Sequence, residues 1–173
     1  MPELHGDIAV LRPLRPSDGP ALRSIRAEPS VREWWGALED DFPFDEPEST
    51  RFTIWSGGAV AGMIQYGEEA EPDYRHAWID VFVATAHQGR GVGTDAVRTL
   101  ARHLVEQRGH HRLTIDPTVA NAAAVRAYEK AGFEPVGVMR LAERGPSGEW
   151  RDALLMEQVF PEVARRTSAE DSP

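Results

Sequence analysis

Four stretches in the first half of the chain alternate apolar and polar residues, or are apolar throughout, as β-strands do. They cover residues 8–14, 52–55, 60–66 and 76–83. The first is expected to be an edge strand, because prolines close it. The second and third lie on either side of Gly57-Gly58 and are predicted to pair as a hairpin. The fourth is the most apolar and is expected to be central.

Helical spacing replaces this pattern in several places. Ser17-Asp18 is predicted to cap a helix that runs to about Ala27, and a short helix is expected from Pro29 to Trp34-Trp35-Gly36. After Val92, a longer helix is predicted from five apolar residues on one face: Val97, Leu100, Ala101, Leu104 and Val105. Asn121 is expected to cap a last helix that ends before Gly132.

Three further strands are predicted at residues 112–115, 133–142 and 150–160. Strands and helices in this order predict an α/β fold: a single domain over residues 1–163, with a mixed, mostly antiparallel central sheet flanked by helices. The polar tail at 164–173 is expected to fray.

Composition narrows the functional classes. The chain has 173 residues, enough for one well-packed domain. It has neither an apolar run of about 20 residues nor a signal-peptide pattern, so a cytoplasmic protein without membrane contact is expected. It has no cysteine, which excludes disulfides, thiolate metal sites and an acyl-cysteine intermediate. The six histidines show no ligand spacing, so no metal is expected.

The net charge of −9 is concentrated in one part of the chain. Residues 38–74, the acidic block, carry ten acids against the single base Arg51, while the remainder is balanced. Such a block repels nucleic acid and attracts a polycation. It is equally the composition of a solvated surface loop. The sequence leaves open whether the chain is a monomer or a homodimer.

A glycine-rich turn, Gln88-Gly89-Arg90-Gly91-Val92-Gly93, follows the apolar strand and opens the long helix. Glycines there let backbone N–H groups at a positive helix end approach a phosphate. No Walker lysine follows the glycines and no βαβ unit opens the chain, so neither a P-loop nor a Rossmann site is indicated.

Together with the later segment Asn121-x4-Arg126-Ala127-Tyr128-Glu129-Lys130-Ala131-Gly132-Phe133, this turn resembles the GNAT acetyltransferase superfamily. The resemblance implies an enzyme with acetyl-CoA as co-substrate. Residues 88–94 would bind the pyrophosphate: Gln88, Gly89, Arg90, Gly91, Val92, Gly93 and Thr94. The backbone of Val81, Phe82 and Val83 would hold the pantetheine arm and polarise the thioester. Asn121 would line the same arm or serve only as a helix cap.

Other segments resemble the aminoglycoside 6′-N-acetyltransferases: Trp34-Trp35-Gly36, Gly62-x-Ile64-Gln65-Tyr66, Ile79-Asp80 and Asp116-Pro117-x-x-x-Asn121. The resemblance implies a small cationic acceptor, an aminoglycoside acetylated on its 6′-amine, and a role in antibiotic resistance.

Five side chains are candidates for contact with such an acceptor or for its chemistry. The resemblance implies that Asp80 is the catalytic aspartate, acting as a base or as an anchor for the ammonium, and the alternative is a structural ion pair. Asp116 would bind substrate amines or would form a simple Asp-Pro turn. Tyr128 would protonate the departing thiolate or would pack in the core. Of Trp34 and Trp35, one is expected to be exposed and to stack on a sugar ring.

Two rival interpretations remain. A GNAT enzyme could act on a protein N-terminus, a lysine or a polyamine. A module of another class could bind acyl-CoA without turnover, although the presence of both Asp80 and Tyr128 argues against it.

Overall fold

The computed structural model describes residues 1–45 and 48–170. The strands are β1 (Leu4–His5), β2 (Val10–Pro13), β3 (Thr50–Ser56), β4 (Ala59–Glu69), β5 (His76–Val83), β6 (Arg112–Ile115), β7 (Glu134–Arg144) and β8 (Trp150–Val159). The helices are α1 (Gly19–Arg26), α2 (Pro29–Trp35), α3 (Val92–Glu106), α4 (Ala122–Ala131) and α5 (Pro161–Glu170). Within the described residues, no helix is long and apolar enough to span a membrane.

All of these strands form one sheet in the order β1-β2-β3-β4-β5-β6-β8-β7. Every neighbouring pair is antiparallel except β5 and β6, which run parallel. The predicted α/β fold with a mixed, mostly antiparallel sheet is therefore confirmed. The prediction of an edge strand at residues 8–14 is wrong, because β1 pairs with β2 and covers that edge.

The parallel pair separates along its length, and this opens the sheet. Strands β5 and β6 are in register only at Ala77 with Leu113 and at Trp78 with Thr114. Strand β5 nevertheless stays paired with β4 as far as Val83. The five residues from Ile79 to Val83 thus turn one backbone edge away from β6, and the gap is where ligands enter an open sheet.

Two apolar cores lie on opposite faces of the sheet. Ile64 and Val81 contribute to the larger core, which α3 and α4 cover. Met63 and Phe82, the next residues along the same two strands, contribute to the smaller core beneath α1 and α2. The alternation of β4 and β5 therefore brings helices from both faces to the gap between β5 and β6.

Two local predictions need correction. Asp18 holds the N-cap position of α1, but its side chain does not cap the helix. Its carboxylate instead accepts hydrogen bonds from the Arg15 N–H (3.2 Å) and the Thr53 hydroxyl (2.7 Å), which tie the helix start to β3. In addition, helix α5 continues to Glu170, across a stretch that was predicted to be a frayed tail from residue 164. Residues 171–173 lie outside the described residues.

Candidate active site

Two connected cavities occupy the gap between β5 and β6. The larger, about 630 Å³, runs from β5 past the glycine turn and between α3 and α4, and we call it the long cleft. The smaller, about 360 Å³, is lined by Asp80, Asp116 and Glu143, and we call it the acidic pocket. Both are lined by six shared residues: Trp34, Trp35, Val81, Asn121, Ala124 and Tyr128. A molecule in one cavity can therefore contact a molecule in the other.

The glycine turn forms one wall of the long cleft. Gly89 and Gly91 have φ of 71° and 80°, a conformation that glycine adopts without steric cost. Gly91 is the N-cap of α3, a 15-residue helix. The first N–H groups of this helix are therefore part of the wall and are directed toward the cleft. A Cβ on Gly89 would meet nothing within 4 Å, which leaves room for a ligand. These features fit a pyrophosphate, since anions bind at helix N-termini.

Six of the seven predicted pyrophosphate contacts line the cleft, and Arg90 does not. The six are Gln88, Gly89, Gly91, Val92, Gly93 and Thr94. Arg90 lies between two glycines of positive φ, and the turn directs it to the exposed surface. The prediction for Arg90 is therefore not supported by its position.

Asp95 fixes the start of α3 against the N-terminal segment. Its buried carboxylate accepts three backbone hydrogen bonds, from Asp7 (3.1 Å), Ile8 (2.9 Å) and Ala9 (2.9 Å). Asp7 and Ile8 thereby become part of the cleft wall, which no sequence motif indicated. The negative charge of Asp95 is satisfied by these N–H groups, so the helix end stays available to an anion.

The backbone edge of β5 alternates in direction. Ala84 N–H donates to Ala61 O (2.8 Å), so even-numbered residues of β5 direct their N–H toward β4 and odd-numbered residues direct theirs toward the cleft. Val81 and Val83 therefore offer backbone groups to a ligand. Phe82 does not, which corrects the prediction that all three N–H groups hold the pantetheine arm. Phe82 still lines the cleft.

Neighbouring side chains bind both of these odd-numbered residues. The Val81 N–H donates to Asp80 Oδ1 (2.9 Å), and the Val83 carbonyl accepts from Gln88 Nε2 (2.9 Å). Gln88 thus anchors the glycine turn to β5, a role that the pyrophosphate motif did not indicate.

The long cleft is also lined by three basic residues that were not predicted from the sequence: Arg98, Arg126 and Lys130. Arg98 lies one turn beyond Thr94 on α3, and Arg126 and Lys130 lie one turn apart on α4. Their spacing of four residues on a helix that borders a phosphate site could have revealed them. The positive charge is a second feature of the cleft that suits a phosphate-rich ligand.

The acidic pocket has carboxylates from three different strands or loops. Asp80 comes from β5, Asp116 follows β6, and Glu143 comes from β7. The pKa of Asp116 is raised above its ordinary value, mainly by burial and further by the charge of Glu143. Glu143 was missed, because no local sequence pattern indicates that β7 reaches this pocket.

Tyr128 lies where the two cavities meet, on the face of α4 that packs against the larger core. Its side chain is 8% exposed. Burial raises the pKa of its hydroxyl, and the charges of Asp80 and Asp116 raise it further. The phenol therefore stays protonated at physiological pH and can act as a proton donor.

Asn121 is the N-cap of α4, and its Oδ1 accepts a hydrogen bond from the Ala124 N–H (3.1 Å). It also lines both cavities. The two roles considered in the sequence analysis are thus compatible in position.

Trp34 and Trp35 are both half-buried, so the expectation that one of them is exposed is wrong. The Trp35 ring meets the Phe82 ring edge-on at 5.0 Å, and its carbonyl accepts from Arg26 Nη2 (3.2 Å). The Trp34 ring lies 5.9 Å from the Arg151 guanidinium carbon. Both rings form the wall of the acidic pocket on the α2 side.

The acidic block lies elsewhere. None of its described residues lines the acidic pocket. Asp45 pairs with Arg51 (2.6 Å), and Glu68 pairs with Arg108 (2.8 Å) and with His110 (2.6 Å). Glu46, another member, lies outside the described residues. In the part of the chain that the structure describes, no group of three or more histidine or acidic side chains is arranged to hold a metal ion.

This combination of a split sheet, a glycine turn at a helix N-terminus and a buried tyrosine between two cavities defines the class of protein. The acetyltransferase (GNAT) family model matches residues 11–133, and the chain belongs to that family. It is an acetyl-CoA-dependent N-acetyltransferase, as its relatives are.

Two relatives and one solved structure show how similar this chain is to other acetyltransferases. Streptothricin acetyltransferase of Streptomyces lavendulae is 29% identical over 153 residues, 83% of this chain and 78% of that protein. Aminoglycoside N(6′)-acetyltransferase type 1 of Klebsiella pneumoniae is 40% identical over 81 residues, 46% of this chain and 39% of that protein. A solved structure of AAC(6′)-Ib in complex with paromomycin and acetyl-CoA is 28% identical with a TM-score of 0.73, and the match covers 93% of this chain and 98% of that one.

Proposed function

We propose that the enzyme transfers the acetyl group of acetyl-CoA directly to an amine of an aminoglycoside, the 6′-amine, and thereby confers resistance. The observation that carries this proposal is the acidic pocket, because it opens onto the long cleft at Tyr128. An aminoglycoside carries several ammonium groups on sugar rings, which suits a pocket lined by carboxylates and by two tryptophan residues. The relatives that act on aminoglycosides support the same choice.

Acetyl-CoA supplies the activated thioester when bound. In this proposal the α3 N-terminus and residues 88–94 other than Arg90 hold its pyrophosphate, and Val81 and Val83 hold the pantetheine arm through their backbone. The Val81 N–H already donates to Asp80, so a ligand carbonyl there would share this donor or replace the carboxylate.

The transfer needs an unprotonated amine and a protonated leaving sulfur. Asp80 lines the acidic pocket and in this proposal takes or holds the proton of the attacking ammonium. Tyr128 donates its hydroxyl proton to the sulfur and then regains a proton from solvent. A tyrosine hydroxyl is already protonated at neutral pH, and burial raises the pKa of Tyr128 further. Asp116 holds another ammonium group of the acceptor. The chain's own residues thus supply both proton steps.

Streptothricin is a second candidate acceptor. Streptothricin is the substrate named for a relative that matches 83% of this chain, a wider match than the aminoglycoside enzyme of Klebsiella pneumoniae. Streptothricin is also an amine, so the same carboxylates would bind it.

The cytoplasmic location, the absence of nucleic-acid and membrane partners, and a monomeric or homodimeric state stay predictions.

The charge of Asp116 should control acceptor binding in a pH-dependent way. The aspartate binds an ammonium group only when it is ionised, and its pKa is raised by burial and by Glu143. Acceptor affinity should therefore fall as the pH is lowered. This fall should begin at a higher pH than it would for an ordinary aspartate, whose pKa is about 3.9. Asp116→Asn should bind kanamycin roughly tenfold more weakly at neutral pH and lose this pH dependence.

Calorimetric titration of kanamycin between pH 4.5 and 7.5 measures this directly, without turnover. The exposed Asp73→Asn is a control that removes a carboxylate outside the pocket. Equal kanamycin affinity in wild type and Asp116→Asn at every pH would contradict the assignment of Asp116.

A further inference from the structure

Strand β7 is irregular at the point where it borders the acidic pocket. Met139 lies opposite Ala153 on β8, and Glu143 lies opposite Arg151. Strand β7 thus advances four residues where β8 advances two, which leaves two extra residues in β7. A regular ladder would have placed Glu143 opposite Glu149. The irregularity moves Glu143 two residues along β8, about 7 Å toward the pocket.

The irregularity is held by defined contacts. Leu141 has a φ of 51° and is the sole non-glycine residue with positive φ among those the structure describes. Its N–H donates to Asp152 Oδ1 (2.8 Å), and the Asp152 carbonyl accepts from the Val119 N–H (2.9 Å). Asp152 therefore links the irregular part of β7 to the loop after β6 that carries Asp116. Such a conformation persists only where its surroundings fix it.

Glu143 points inward at the end of this segment. Its side chain is half-buried, it lines the pocket, and the Thr118 hydroxyl donates to its Oε1. The neighbouring Arg144 also lines the pocket, but this residue is exposed and its guanidinium lies over the Trp150 ring at 5.6 Å. Of these two neighbours, Glu143 is the more buried residue in the pocket wall.

We propose that Glu143 is a specificity-determining residue that binds a second ammonium group of the acceptor and so selects acceptors with two or more amines. The proposal rests on the proposed function and extends it. Asp80 and Tyr128 serve the amine that reacts, and Asp116 and Glu143 serve the amines that do not. A monoamine would leave these two neighbouring carboxylates without a cation between them, an unfavourable arrangement in a partly buried pocket.

The test compares Glu143→Gln with wild type on acceptors that differ in amine number. Glutamine keeps the shape and an acceptor for the Thr118 hydroxyl but removes the charge. For kanamycin, kcat/KM should fall on the order of tenfold, through KM, with kcat within about twofold. For methyl 6-amino-6-deoxyglucoside, which has one amine, kcat/KM should stay within about twofold. Glu134→Gln, an exposed position of the same strand outside the pocket, is the matched control.

Direct binding gives a second readout. The kanamycin dissociation constant from calorimetry should rise on the order of tenfold in Glu143→Gln and stay unchanged in Glu134→Gln. In Glu143→Gln, kanamycin binding should also weaken at a lower pH than in wild type. The reason is that the charge of Glu143 helps to raise the pKa of Asp116, and this charge is absent from the variant. The other titratable groups lining this pocket, Asp80, Tyr128 and Arg144, are unaltered in the variant.

The outcomes separate this inference from the proposed function. If spermidine is acetylated but kanamycin is not, the aminoglycoside proposal fails. The effect of Glu143→Gln is then measured with spermidine as the polyamine acceptor and butylamine as the monoamine acceptor. Equal losses for monoamine and polyamine acceptors, or equal effects of Glu143→Gln and Glu134→Gln, would overturn the role of Glu143. A wild-type enzyme that prefers monoamines and binds no polyamine would overturn both.

Discussion

Gly91→Asp should weaken the binding of acetyl-CoA by roughly a hundredfold while the fold persists. Gly91 is the N-cap of α3, and the proposed pyrophosphate lies against the N–H groups that follow it. Two like charges about 4 Å apart at an effective dielectric constant of about 20 repel each other by roughly 4 kcal/mol. Solvent screening at the cleft mouth reduces this to about 3 kcal/mol, and each 1.4 kcal/mol is a factor of ten.

The control for Gly91→Asp is Gly91→Asn, which has the same size without the charge. Aspartate and asparagine both tolerate the positive φ of 80° at this position better than most other non-glycine residues do. Their Cβ would approach the flexible end of Ile8 at 3.2 Å, a contact that a small shift relieves. Calorimetry with acetyl-CoA should show the asparagine variant binding at least about tenfold more tightly than the aspartate variant. Unchanged affinity in a folded Gly91→Asp protein would contradict the pyrophosphate site.

Tyr128→Phe should lower kcat on the order of 10- to 1,000-fold at neutral pH. The substitution removes one hydroxyl and little volume, so the free energy of unfolding should change by roughly 1 kcal/mol or less. The hydroxyl is proposed to protonate the departing sulfur. Since burial raises its pKa, wild-type kcat should show no loss from tyrosine ionisation below about pH 10.

Stopped-flow release of the thiol separates this chemistry from binding. The dissociation constant of acetyl-CoA should be nearly unchanged in Tyr128→Phe, and urea unfolding should report a similar stability. Tyr74→Phe, at an exposed position outside both cavities, is the control for loss of a phenol. Turnover of Tyr128→Phe at the wild-type rate would assign the tyrosine to packing alone.

The sequence predicted those parts of the fold whose signals are local. Strands β5 and β6 begin and end where the apolar pattern placed them, and Asn121 and Gly132 flank α4 as their cap preferences require. Strand β1 was missed, because two residues carry no periodicity and become a strand only by pairing with β2.

The site was predictable only where chemistry coincided with a local motif. The glycine turn and Tyr128 lie within motifs, and both line the long cleft. The direction of the Phe82 backbone depends on pairing with β4, and the position of Glu143 depends on two extra residues in β7. Such long-range register cannot be read from one strand alone.

The most direct test of the proposed function compares acceptors under one condition. Thiol release from acetyl-CoA is measured with kanamycin, streptothricin, spermidine and a peptide with a free N-terminus, and the site of acetylation is determined in each product. The account predicts a kcat/KM for kanamycin that exceeds those for spermidine and the peptide by about tenfold or more, with the acetyl group on the 6′-amine. A preference for the peptide or for spermidine, with kanamycin inert, would contradict it.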